Sequence, residues 1–326
     1  MRAKMPNRRG VALIVVLLMV SIITALTIQL NRDTRSEVTG AANLSDGIRL
    51  RYIAQSGFAA GEAFLLADKN QFDSLTEAWA NTEMLALQSE GYFENGSFKL
   101  AIQDEEGKIA INKLVTGGVY NEPVRLFLLR LLTGPSFRLD QRKAEELVDA
   151  IKDWIDADDE VTGAGAEGAY YAGLQRPYTV KNAPIDCIEE LLMVKGVTRE
   201  LFYGTAGSPG LEQCLSVYGS GSRDGRVNIN TAPLVVLRAL APEMTDEDVK
   251  QLDKYRREAQ NNLADAAWYQ KIPRATPLPS LATLIKVKSD IFRITAVGVQ
   301  ERMSERITGV VKRAGQKAQL LSWKVE

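Results

Sequence analysis

The sequence contains no histidine. That absence removes the commonest general base, the commonest transition-metal ligand, and the Ser/His and Cys/His nucleophile pairs in one stroke. An enzyme is a poor reading from the outset, and no catalytic residue is expected. An excess of one charge is missing too, since 40 basic and 41 acidic side chains leave a formal net charge of -1. Nothing global draws such a chain to nucleic acid or to an acidic membrane surface. Cysteine is scarce, with only Cys187 and Cys214, and two sulfurs without a histidine are too few soft ligands for a zinc site. Hydrophobic residues make up 45% and charged ones 25% of the 326 residues, which suffices for one large folded unit or two medium ones.

The longest feature present is a gap in the charges. From Val11 to Leu30, VALIVVLLMVSIITALTIQL runs 20 residues without a charged side chain. As a helix rising about 1.5 Å per residue it reaches roughly 30 Å, the thickness of a bilayer core. Arg2, Lys4, Arg8 and Arg9 precede it, whereas Asn31, Arg32 and Asp33 follow. The positive-inside tendency then puts the N-terminus in the cytoplasm and the bulk of the chain outside. No A-x-A-like cleavage site closes the run, so the segment is expected to stay as an anchor.

Beyond the anchor, Arg35 to Asp68 hold no proline, and Leu44, Ile48, Tyr52, Phe58 and Leu65 form an imperfect helical stripe. Gly40, Gly47, Gly57 and Gly61 each weaken that helix by about 1 kcal/mol relative to Ala, so it needs a sheet to dock on. Strand patterns lie far apart. SFKLAIQ, a turn at Glu106 and Gly107, and KIAINKL read as a hairpin, while DIFRITAVGVQ, ERITGVVKRAG and KAQLLSWKVE read as a three-strand meander. Between them the pattern is helical. In LDQRKAEELVDAIKDWID, Ala144, Leu147, Val148, Ile151 and Ile155 line one face and Asp140 is placed to cap it. APIDCIEELLMV, with Asp186 and Glu189 at capping-box spacing, TAPLVVLRAL and TDEDVKQLDKYRREA follow. The expected fold class is α+β, a long N-terminal helix on a small antiparallel sheet, with a large all-α domain inserted at residues 118–285. Residues 1–10, 11–30, 31–117 and 286–326 are then leader, membrane helix, helix with first strands, and closing strands.

The densest local chemistry follows the long amphipathic helix. DWIDADDEVTGAGAE packs Asp153, Asp156, Asp158, Asp159, Glu160 and Glu167 into fifteen residues, with two glycines among them. Crowded carboxylates repel one another and oppose the dipole at a helix C-terminus unless a cation compensates. Hard oxygens on a Gly-rich loop suit calcium, which accepts six to eight of them, better than magnesium. The EF-hand spacing fits Asp156, Asp158, Glu160, Thr162 and Glu167 but fails at Val161, where a glycine is required. A calcium loop of another type is expected, with Asp156, Asp158, Asp159, Glu160 and Glu167 as ligands and Asp153, one turn back, ambiguous. The alternative is an acidic loop that water alone solvates.

Arg8-Arg9-Gly10 against an apolar helix resembles the class III signal of type IV pilins and type II secretion pseudopilins. Val15 stands where most members carry glutamate, and the K-type minor pseudopilins lack that residue; they also carry a large helical insertion and helix-hairpin-helix-like packing. WIDAD and AEGAYY look like the calcium-binding region of that family. The resemblance covers the whole chain and implies cleavage by prepilin peptidase between Gly10 and Val11, methylation of Val11, and a structural calcium. It also implies residence in the inner membrane with the bulk in the periplasm. Its partners would be I-type and J-type minor pseudopilins, the major pseudopilin and the inner-membrane assembly platform, with a place at the tip of the pseudopilus. In an oxidising periplasm Cys187 and Cys214 are expected to pair, closing a loop of about 27 residues for roughly 3–4 kcal/mol, with two free thiols as the alternative.

A different class, a membrane-anchored DNA receptor, competes through two helix-hairpin-helix-like stretches. Only Lys195-Gly196-Val197 carries the hairpin glycine, and Glu243, Asp246, Glu247 and Asp248 flank the second hairpin. They would repel phosphate, so no nucleic-acid partner is expected.

Overall fold

The computed structural model describes residues 8–220, 225–272, 281–315 and 317–326. Its first element, α1 (Arg8–Ala67), is a single helix of 60 residues, roughly 90 Å long at about 1.5 Å per residue. From Gly10 to Arg49 no residue is buried. Burial begins at Leu50 and recurs at Ile53, Ala54, Gly57, Phe58, Gly61 and Leu65, a helical period that differs from the expected stripe. Phe58 and Leu65 are on it, whereas Leu44, Ile48 and Tyr52 are exposed. The glycines move the stripe. A β-carbon at Gly61 would lie 3.0 Å from Ile294 Cγ2 and 3.1 Å from Leu100 Cδ1, so their lack of a side chain sets the face on which the helix approaches the sheet.

That sheet has four antiparallel strands in the order β1 (Ser97–Asp104), β2 (Ile291–Gln300), β3 (Met303–Ala314), β4 (Lys317–Val325). Leu100 faces Ala296 and Ile102 faces Ile294 across the first pair, and a bulge interrupts the last pair at Val310 and Val311. Alternate residues Phe98, Leu100 and Ile102 point inward and meet Ile53, Phe58 and Leu65 of α1, with Phe292, Ile294 and Ile307 from β2 and β3. Each such side chain, fully buried, contributes about 1.5–3 kcal/mol. The outer edge of β1 is covered by α2 (Glu83–Ser89): the Phe98 amide donates to Ser89 Oγ at 3.0 Å, and Thr82 Oγ1 donates to the Leu100 carbonyl. The expected C-terminal meander is present as β2, β3 and β4.

The expected N-terminal hairpin is not formed. After Asp104 the chain makes a single 3-10 turn at Glu105–Gly107 and leaves the sheet, and β1 takes β2 as its neighbour. Ile109, Ile111 and Leu114, read as its second strand, are fully buried in the core of the inserted domain. The glutamates of the turn explain the departure, because each is committed to cations or backbone from distant segments. Glu105 accepts from Arg293 Nε at 2.6 Å, and Glu106 from Lys286 Nζ and Ser220 N, both at 2.8 Å.

The inserted domain therefore lies between two hydrogen-bonded strands. Its core draws on α3 (Glu122–Thr133), α4 (Gln141–Ile155), α5 (Gly168–Ala172), α6 (Arg199–Tyr203), α7 (Leu211–Cys214), α8 (Leu234–Ala239) and α9 (Asp246–Arg257). Short strand pairs interrupt the helices: Ile109–Ala110 runs parallel to Leu215–Ser216, and Val227–Asn228 parallel to Ile285–Lys286. The expected face of α4 is buried in full, and the Asp140 carboxylate caps the helix by accepting from the Lys143 amide at 2.9 Å. At Ile188–Met193 the cap sits one residue later than expected, with Glu190 accepting from the amides of Asp186 at 3.0 Å and Cys187 at 3.2 Å.

A buried polar knot joins the two units. Asp104 Oδ2 accepts from Ser289 Oγ at 2.5 Å, Thr231 Oγ1 at 2.6 Å and Asn228 Nδ2 at 3.0 Å. Arg313 grips both oxygens of Asp73 at 2.7 Å. Buried polar groups held this way are costly to leave unpaired and so lock the junction.

Candidate metal centre

The acidic loop begins where α4 ends. Asp153 occupies the last turn of α4, Asp156 caps it, and Glu167 opens α5, so residues 157–166 form a loop that returns on itself. Asp153, Asp156 and Glu167 are all buried, and each offers a carboxylate oxygen within 4.8 Å of the others. Two of the five expected ligands are thus brought together, and Asp153 joins them. Asp158, Asp159 and Glu160 are not in this cluster and stay exposed. The Glu160 amide donates to Asp158 Oδ1 at 3.0 Å, and Asn182 Nδ2 donates to Asp159 Oδ1 at 3.0 Å. Sequence distance misleads here because a helical i, i+3 step puts Asp153 and Asp156 on one side, whereas three consecutive acids cannot all turn inward.

Small residues and two lysines shape the loop. A β-carbon at Gly165 would lie 2.1 Å from Asp153 Oδ2, and one at Gly163, where φ is +54°, would lie 2.2 Å from Asp149 Oδ2. The Thr162 amide donates to Asp153 Oδ1 at 3.0 Å, and the Ala164 amide to Asp149 Oδ2 at 3.1 Å. From the other side Lys195 Nζ donates to the carbonyls of Ala164 and Gly165, both at 2.9 Å. This is the lysine of the first hairpin, next to Gly196 at φ +87°. Its charge is spent inside the domain on the loop. The second hairpin is likewise built into the core: Arg256, 1% exposed, donates to the carbonyls of Ile229 and Ala232, and Trp268 Nε1 to Asn230 Oδ1 at 2.8 Å.

The three carboxylates differ in how far they are satisfied. Asp153 accepts from backbone, but Asp156 Oδ1 and both oxygens of Glu167 are buried and find no hydrogen-bond donor among the described residues. Burial, then the negative charges of Asp153 and Asp156, push Glu167 up to about 7, and burial raises Asp153 as well. Orphaned carboxylate oxygens converging in a buried pocket are what a hard cation requires, and the donor set, all oxygen, fits calcium. Lys152 supplies part of the compensation by donating to Asp156 Oδ2 and, at 2.7 Å, to Thr162 Oγ1. Trp154 is 2% exposed and packs edge-on to Tyr171 at 5.3 Å.

The second acidic group, Asp68, Asp73 and Glu77, is also close-packed. Arg313 spans its first two members, while Glu77 accepts from Ser74 N at 2.7 Å and Trp79 Nε1 at 3.0 Å. Its oxygens are satisfied by protein. Cys187 and Cys214 are free thiols, so the expected disulfide is not formed in this structure. Their surroundings differ: Cys187 is exposed at the start of a helical turn, whereas Cys214 is buried at the end of α7, where burial pushes its thiol up to about 12.

Comparison with known proteins bears on this domain most directly. Two family models, both described as type II secretion system protein K, match residues 107–204 and 227–288. The first spans the whole acidic loop. Among curated proteins, the type II secretion system protein K of Pseudomonas aeruginosa is 28% identical over 244 residues, covering 72% of this chain and 68% of that one. The protein of the same name from Aeromonas hydrophila is 27% identical over 215 residues, covering 61% of this chain and 62% of its own. The match thus spans somewhat under two thirds of the Aeromonas protein's length. A solved structure, from the GspK-GspI-GspJ complex of enterotoxigenic Escherichia coli, superposes with a TM-score of 0.67 over 89% of this chain and 99% of that one, at 17% identity. That likeness carries the fold, a pseudopilin helix and sheet with an inserted helical domain. With both family models in order along the inserted domain and the same fold around it, the chain belongs to the type II secretion system protein K family.

Proposed function

We propose that this chain is the minor pseudopilin that caps the tip of the pseudopilus, and that it supports export of folded proteins across the outer membrane. The observation that carries the reading is the position of the insertion. A second body with its own core is spliced between β1 and β2, while α1 from Gly10 to Arg49 has no buried residue. A bare helix suits side-by-side packing in a filament, but a domain of this size on every subunit would collide with the next one. An end position removes the collision. Val15 supports the same place, since a subunit with none above it has no incoming N-terminal amine to neutralise.

On this reading prepilin peptidase cuts between Gly10 and Val11, Val11 is methylated, and the apolar stretch of α1, long enough to cross a membrane, anchors the chain in the inner membrane. The bulk lies in the periplasm. Its partners are the I-type and J-type minor pseudopilins, which the Escherichia coli complex contains beside its own K protein, and below them the major pseudopilin and the assembly platform. Calcium is structural. Asp153, Asp156 and Glu167 would hold it, and its charge would relieve the repulsion that the loop otherwise contains.

The test is co-expression with the neighbouring I-type and J-type pseudopilins. A stable complex at equal stoichiometry is expected, and a persistent monomer at micromolar concentration would overturn the tip assignment. N-terminal sequencing of the mature protein should begin at Val11; an intact Met1 would overturn the processing.

A further inference from the structure

Lys152 is the buried cation that touches the carboxylate cluster. It is 7% exposed and on α4, and its ammonium bridges the start of the loop at Asp156 to Thr162 six residues later. The other charges facing the cluster are committed elsewhere or solvated. Asp149 accepts from the Tyr120 hydroxyl at 2.6 Å and from the Ala164 amide, and Arg125 stacks on the same Tyr120 ring at 4.9 Å. Lys195 is spent on the two loop carbonyls, and Asp158 and Asp159 lie in solvent. With all three carboxylates ionised, as a bound cation would hold them, the cluster and the Lys152 ammonium together carry two negative charges.

We infer that Lys152 is a built-in counter-cation that matches the cluster to one divalent ion and holds the loop closed when that ion is absent. The inference rests on the calcium reading of the loop. A divalent ion entering beside Lys152 makes the pocket neutral, which is the least costly state for a buried site. A trivalent ion would leave an excess positive charge there. Without the ammonium, the three carboxylates carry three negative charges, so the preference should pass to trivalent ions. The ion-free loop would then also lose the ammonium that ties Asp156 to Thr162.

The experiment is calorimetric titration of the full-length chain in detergent with calcium chloride and, separately, terbium chloride. It compares wild type with Lys152→Met, Lys152→Gln and Lys152→Arg, and melting temperatures are read in EDTA and in excess calcium. The terbium-over-calcium affinity ratio should rise at least tenfold in the two neutral variants and stay near wild type in Lys152→Arg. The melting temperature of the neutral variants should fall more in EDTA than in calcium. An unchanged ratio in folded neutral variants overturns the inference and leaves the calcium reading standing. Failure of both neutral variants to fold in saturating calcium overturns it too, because the ion should replace the missing charge. A wild-type chain that binds neither ion removes the calcium reading itself.

Discussion

Gly57 of α1 lies so close under the Phe98 ring of β1 that a β-carbon at this position would stand 2.8 Å from Phe98 Cγ. The same closeness recurs from the sheet side, where a β-carbon at Gly309 would lie 2.6 Å from Phe58 Cε2 and one at Gly298 2.4 Å from the Leu50 carbonyl. Helix and sheet therefore meet through glycines on both surfaces. The resulting contact is too tight to accept even one methyl group without movement of backbone or ring.

Gly57→Val should therefore destabilise the helix-sheet unit by about 1–3 kcal/mol through overpacking. Gly47→Ala, where nothing lies within 4 Å of the added carbon, should be neutral or stabilising by up to about 1 kcal/mol through helix propensity. Denaturant melts of the two variants should move in opposite directions. Equal shifts would mean that propensity alone governs α1.

EDTA should lower the melting temperature of the wild-type chain, and calcium should restore it. At a free calcium concentration a hundredfold above its dissociation constant, the stabilisation is about 2.7 kcal/mol, several degrees for a domain of this size. Glu167→Gln, which removes a charge whose oxygens have no donor, should abolish the response to calcium while raising the stability of the ion-free form. A wild-type melt indifferent to EDTA and calcium would end the metal reading.

Arg313 and Asp73 should give the junction a pH dependence. Burial pushes Asp73 up to about 7 although Arg313 opposes it. The folded state then holds a proton that the unfolded chain, with its carboxyl near 3.8, has released. The stability this group contributes is full below the ordinary carboxylate range and is lost as pH rises through about 7. Denaturant melts at pH 5 and 8 should show that loss in wild type and less of it in Asp73→Asn. Identical trends in the two proteins would refute it. Arg313→Met removes the cation that opposes this shift, so the loss of stability between pH 5 and 8 should be larger than in wild type.

Lys195→Met should loosen the acidic loop, because the two carbonyls it holds lie between the clustered carboxylates in sequence. Faster amide exchange at Thr162 to Ala166 and weaker calcium binding are expected. Gel shifts with single- and double-stranded DNA should show no binding in wild type. Salt-dependent binding abolished by Lys195→Met would instead favour the DNA-receptor alternative.

Much of this molecule is written in local pattern. The charge gap from Val11 to Leu30, the amphipathic face of α4 with its Asp140 cap, the alternation in β2, β3 and β4, and the acidic loop itself each follow from residues close together in the chain. Local chemistry determines them, since periodicity and capping act over a few residues. Tertiary structure decided the rest. Whether Ile109 and Ile111 extend a hairpin or enter another core depended on where Glu105 and Glu106 find Arg293 and Lys286, nearly two hundred residues away. Which face of α1 meets the sheet depended on Gly57 and Gly61, whose value lies in the space they leave for Phe98 and Ile294. Which acids converge depended on a loop closed by Lys152 and Lys195, so that Asp153 turned inward and Asp158 to Glu160 outward. Contacts between distant segments leave no period in the sequence; the closeness of two surfaces or the pairing of two buried charges exists only once the chain is folded.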